Sequence, residues 1–219
     1  MRNALTTMSK DHFVPQFYLR RWATNGTLSS AKWIKAKKKL HWKQFSPAAI
    51  GYQEELYGDN EQHYFMPLDT RASEFTAVFD KFDGNISYRR DLTDEQAELW
   101  AKYLLAQLVR TPENVAAVCQ RFKSEGFNDD IAKSELKRII ENGRAIRDIQ
   151  DMLWIYKPVS AEIEIITSDN PLIFKPSNLS HENCVLILPM SPNSYFLATH
   201  HENLKRLPTR ESDMVRSIN

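Results

Sequence analysis

The spacing of apolar residues changes character at residue 153, and that change constrains the fold more than any other feature of the chain. Before it, apolar side chains recur every three or four positions. Leu68, Ala72, Phe75, Val78, Phe79 and Phe82 do so between Pro67 and Phe82, with Asp83, Gly84 and Asn85 placed to stop a helix. Thr93 and Gln96 form a capping box for the clearest helix, whose face carries Ala97, Trp100, Ala101, Leu104 and Leu108 and which runs to about Arg110. Pro112 then either kinks it or opens a new helix. The helical period returns from Asp129 to Met152, interrupted at Asn142-Gly143. After it come short apolar runs at 153–156, 162–166, 172–174, 185–188 and 195–198, punctuated by prolines. Strands segregated behind a run of helices define an α+β fold, with a helical portion over 1–152 packed on an antiparallel sheet over 153–200. Residues 211–219 start a further helix that nothing stops, as in a chain whose C-terminal helix is incomplete.

At 219 residues and 42% hydrophobic, the chain can bury one substantial core, and a single domain over 1–219 is expected. Its 29 Lys+Arg and 28 Asp+Glu leave a net charge of +1, so any claim on nucleic acid rests on a local patch. Cys119 and Cys184 make neither a disulfide framework nor a zinc spacing. The N-terminus lacks the apolar run of a signal peptide, and no stretch approaches the roughly 20 apolar residues that span a bilayer. The expectation is a cytoplasmic protein without a membrane partner.

Polar side chains that could carry chemistry fall in four places. The segment from Asp11 to Trp22 packs His12, Gln16, Arg20 and Arg21 among aromatics, and Pro15 suits a first helical position, which puts Gln16 and Arg20 on one face with His12 just before it. On the capping-box helix, Tyr103, Gln107 and Arg110 share a face. An arginine there is either paired with a buried carboxylate or offered to an anion. Thr167, Ser168, Asp169 and Asn170 follow an apolar run and precede Pro171; they read as an oxyanion or phosphate site with Asp169 as base, or as a turn capping its own backbone. Finally, residues 31–45 read as a β-hairpin in which Trp33 and Trp42 are interleaved with Lys35, Lys37, Lys38 and Lys39. Such a hairpin commonly buries its aromatic face and solvates its lysines, protecting an edge. The same residues also suit single-stranded nucleic acid, with bases on rings and phosphates on lysines. A glycine-rich phosphate loop, a His-Glu-x-x-His pattern and a nucleophile elbow are all missing from the sequence.

HFVPQFYLRRW, LLAQLVRTP, and ITSDNPL followed by LILPMSP together resemble, in order and character, the motifs of a mainly bacterial family, domain of unknown function 4238. The resemblance spans nearly the whole chain. It implies site roles for His12, Gln16, Tyr18 and Arg20, for Gln107 and Arg110, and for Ser168, Asp169 and Asn170, with Tyr57 and Glu74 matching a further tyrosine and a helix glutamate. Where the family often carries an earlier acidic residue on that helix, this chain reads Phe65-Met66-Pro67-Leu68-Asp69. Histidine, arginines and a carboxylate meeting in one cleft would suit phosphoryl chemistry, with arginines holding a phosphate and His12 or Asp169 handling the proton. The expected function is therefore an enzyme acting on a phosphodiester, nuclease-like, in bacterial defence or toxin biology. No zinc motif is present, and a divalent metal is compatible with that chemistry. The alternative is a non-catalytic interaction or regulatory module in which the same side chains form an internal polar network.

Overall fold

The computed structural model describes residues 9–80, 86–87, 92–160, 162–176 and 178–219. Strand β1 (Lys10–His12) leads through Pro15, an extended N-cap at φ −57° and ψ 139°, into the short helix α1 (Gln16–Leu19), which tightens into a 3-10 turn over Arg20–Trp22. The helix thus begins one residue later than Pro15. Strands β2 (Leu28–Ile34) and β3 (Lys39–Phe45) form the expected hairpin, closed by a 3-10 turn over Lys35–Lys37 and by Lys38 in the left-handed region at φ 45°. The stretch after Gly51 contains β4 (Tyr52–Glu54), antiparallel to β1 with His12 opposite Tyr52. Three-residue strands have no periodicity to read, and this pairing joins segments some forty residues apart.

A π-helical turn over Glu61–Phe65 opens directly into α2 (Met66–Phe79), which buries Leu68, Ala72, Phe75, Thr76 and Phe79. The expected stop at Asp83-Gly84-Asn85 lies outside the described residues. Strand β5 (Ile86–Ser87) is unanticipated. Helix α3 (Asp94–Val109) has both halves of the capping box: Gln96 N donates to Thr93 Oγ1 at 3.2 Å and Thr93 N to Gln96 Oε1 at 3.0 Å. Thr111 caps α4 (Pro112–Ser124), so Pro112 starts a helix rather than kinking one. Asn128 and Asn142 cap α5 (Asp129–Ile140) and α6 (Gly143–Gln150).

Strands β6 (Leu153–Pro158), β7 (Ile173–Lys175), β8 (Val185–Ser191) and β9 (Ser194–Thr199) join β5 in an antiparallel sheet of order β5-β6-β9-β8-β7, confirming the α+β fold. A 3-10 turn over His201–Arg206 precedes α7 (Glu211–Ile218). The expected strand at 162–166 does not form. Ile163 and Ile166 are exposed, and the backbone there is held singly, Ile165 N to Pro192 O and Ile166 N to Asn219 Oδ1.

Alternation on β8 and β9 explains how two cores share one sheet. Leu186, Leu188, Phe196 and Ala198 face α2 and α3, where Trp100 meets Phe196 edge-on at 5.6 Å and Phe79 at 5.0 Å. Ile187, Tyr195 and Leu197 point the other way, onto Met214 and Val215 of α7. Both faces are covered, so these strands read as unbroken apolar runs.

Candidate functional site

Arg110 follows the last residue of α3 with its side chain fully buried. Its guanidinium forks onto Asp69 of α2, Nη1 to Oδ1 at 2.8 Å and Nη2 to Oδ2 at 3.0 Å, and Nη2 also donates to the His12 carbonyl at 2.6 Å. The Phe65 ring lies 5.1 Å from the guanidinium carbon, and Tyr57 Oη donates to the Arg110 carbonyl. Tyr57 is fixed in turn by its own N–H, which donates to the buried Asp11 at 2.8 Å. One arginine therefore ties β1, the loop before α2, α2 and α3 together. Burial opposes its charge, but Asp69 and Tyr57 outweigh that and raise its pKa. Burial also pushes the Asp69 carboxyl above its ordinary value while Arg110 pulls it back. A forked pair of this geometry is ionised, because the guanidinium does not give up its proton.

The stripe read from sequence is present. Tyr103 and Gln107 stand on α3 with Arg110, each about 1% exposed or less. Tyr103 Oη, both polar atoms of the Gln107 side chain, Arg110 Nε, His12 Nε2 and Glu61 Oε2 are buried without a hydrogen-bond partner among the described residues. Burial lowers the His12 pKa, favouring neutral imidazole. Glu61, on the π-helical turn, is pushed up to about 7 by burial and by the Asp11 and Asp69 carboxylates, against the pull of Arg110. Such a cluster suits small hydrogen-bonding molecules such as water.

The first and third motifs meet only partly. Tyr18 Oη and Thr167 Oγ1 are 2.9 Å apart, and Trp22 Nε1 donates to the Ile165 carbonyl at 3.0 Å. Phe17 and Tyr103 lie ring to ring at 5.8 Å, linking the first motif to α3. Beyond Thr167, however, Ser168, Asp169 and Asn170 are exposed, and Ser168 Oγ closes on the Asn170 backbone in a local turn. Among the described residues Asp169 makes no hydrogen bond or ion pair. Asn170 borders a groove of about 860 Å3 whose lining includes Leu108, Phe174, Lys175 and Asn219 but not Arg110. Arg20 is exposed, 3.4 Å from Gln16, whereas its neighbour Arg21 is built in, forked onto Asp80, which also accepts from Tyr156. Glu74 is exposed.

Asp69, Asp11 and Glu61 are the cluster members that sequence reading missed. A signal existed for Asp69: it sits directly after Leu68 and three residues before Ala72, at the margin of the buried stripe of α2. Among the described residues no group of three His, Cys, Asp or Glu side chains could hold a metal.

The hairpin departs from expectation. Its aromatic face is not buried: Trp33 is 55%, Leu40 50% and Trp42 64% exposed. Trp33 pairs with Leu40 and Ala31 with Trp42, so both indoles share a face, while Lys32, His41 and Lys43 take the other. Lys35, Lys37 and Lys38 form the tip and Lys39 opens β3, so Leu28 to Phe45 carries six lysines and no carboxylate. The aromatics stay in solvent because β2 and β3 form a two-stranded sheet of their own.

These features define an α+β protein with an internal arginine–carboxylate frame and a projecting basic, aromatic hairpin. The chain belongs to the family described as protein of unknown function (DUF4238), which it matches over residues 10–219. No curated protein and no solved structure matches it. Among the described residues no helix is long and apolar enough to cross a membrane.

Proposed function

We propose that the chain is a non-catalytic interaction module that holds nucleic acid on the β2–β3 hairpin, with the Arg110 cluster as its internal frame. The observation that carries this reading is the exposure of Trp33 and Trp42 on one face of a hairpin with six lysines and no carboxylate. With a net charge of +1 for the whole chain, the rest of the molecule is net negative, which concentrates attraction for a polyanion on the hairpin. The rival reading, a nuclease-like enzyme in defence or toxin biology, requires His12, Arg110 and Asp169 to meet at a substrate. Arg110 is wholly buried with both terminal nitrogens engaged, and Asp169 stands in a separate exposed turn, which favours the interaction module.

Fluorescence anisotropy of a labelled oligonucleotide tests the proposal. Affinity is expected to fall steeply between about 50 and 200 mM salt, and the combined Lys37→Gln, Lys38→Gln and Lys39→Gln variant to reduce the slope of log affinity against log salt by about 2. The oligonucleotide is expected to be recovered intact. No binding at about 50 mM salt would overturn the proposal.

A further inference from the structure

Lysines alone would hold any polyanion, duplex or single strand, through its phosphates. The two exposed indoles add something that a duplex cannot use, because its base faces are stacked inside. From the register, Trp42 lies diagonally across from Trp33, two positions beyond Leu40. Diagonal cross-strand neighbours stand about 7–8 Å apart, roughly twice the 3.4 Å rise between stacked bases. Ala31, opposite Trp42, leaves the space beside that ring open.

We infer that the Trp33–Trp42 face is a base-stacking platform that selects single-stranded over double-stranded nucleic acid, unpaired bases stacking on the two indoles while the lysines of the tip and edges neutralise the flanking phosphates. This rests on the reading of the hairpin as the nucleic-acid-binding element and specifies its ligand. A membrane surface is the less favoured occupant. Lys35, Lys37, Lys38 and Lys39 crown the tip, and an inserting hairpin would carry them into lipid ahead of Trp33, Leu40 and Trp42. Self-association through the apolar face would crowd the lysines of two copies together.

The test is titration of the full chain, by indole fluorescence and anisotropy, with an oligothymidine of about a dozen nucleotides and with a duplex of equal length at one low salt concentration. The Trp33→Ala and Trp42→Ala variants are measured in parallel. Both indoles are exposed, so the variants are expected to keep the parent's unfolding midpoint. The expected result is quenching of indole emission by the single strand, an affinity at least about tenfold above that for the duplex, and a loss of roughly ten- to hundredfold in each variant with an unchanged salt slope. Equal affinity for duplex and single strand, untouched by either substitution, overturns the stacking inference while the electrostatic reading survives. Loss of all nucleic-acid binding at low salt overturns both. Indole changes seen with phosphatidylserine vesicles or with rising protein concentration, but not with the oligonucleotide, also overturn the inference, reassigning the face to a membrane or to a second copy.

Discussion

Glu61 shows how a single buried side chain sets the pH behaviour of the frame. Its ordinary value of 4.5 is raised to about 7 in the fold, so between those values the native chain binds more protons than the unfolded one. Stability then falls as pH rises through that window and levels off above it. With solvent screening allowed for, the contribution is about 2 kcal/mol. Glu61→Gln, which mimics the protonated form, is expected to remove this slope and to be about 2 kcal/mol more stable than the parent at pH 8, with little difference at pH 4. Urea unfolding at the two pH values checks this, and a variant that keeps the parent's slope would contradict it. At this scale the sequence was half legible. Tyr103, Gln107 and Arg110 stood out as polar residues on an apolar helix face, but the carboxylate that answers Arg110 lies 41 residues upstream, where spacing carries no information. Arg20 drew attention as one turn beyond Gln16, yet the side chain the fold uses is Arg21, because only tertiary contact decides which of two adjacent arginines meets Asp80.

Among the elements, those stabilised locally were readable and those stabilised by distant pairing were not. The capping box of α3 and the hairpin are written within a few residues, whereas Asn142, read only as an interruption with Gly143, caps α6. Strands β1, β4 and β5, two or three residues each, exist only through their pairing. The β1–β4 pair depends in turn on Gly51, at φ +67°, whose carbonyl accepts from Val14 N at 3.0 Å. A Cβ there would lie 3.0 Å from Val14 Cβ and 3.3 Å from the Val14 carbonyl oxygen. Gly51→Ala is expected to cost about 1–3 kcal/mol through strain and overpacking. Gly26→Ala, also at positive φ but with nothing within 4 Å, is expected to cost less than Gly51→Ala, about 1–2 kcal/mol from backbone strain alone. Equal losses in denaturant unfolding would mean that the contact with Val14 plays no part. The exposure of the hairpin aromatics was illegible for a related reason: alternation shows that Trp33 and Trp42 share a face, but not whether anything covers it.

Across the whole molecule, the buried ion-pair frame and the exposed basic, aromatic hairpin are separate. Arg110, Asp69 and their neighbours bind β1, α2 and α3 into one body under the sheet, while β2 and β3 carry the exposed aromatics and most of the concentrated positive charge. Removing one member of a buried ion pair leaves an uncompensated charge and costs about 3–5 kcal/mol, whereas replacing both with apolar side chains of similar volume is often near neutral. The combined Arg110→Met and Asp69→Leu variant therefore erases both charges together and is expected to stay folded, although the His12 carbonyl loses its donor. The decisive measurement is the affinity of that folded double variant for a single-stranded oligonucleotide at low salt. The account predicts a value within about twofold of the parent's; a loss of tenfold or more, with the unfolding midpoint retained, would show that the pair serves the ligand rather than the fold.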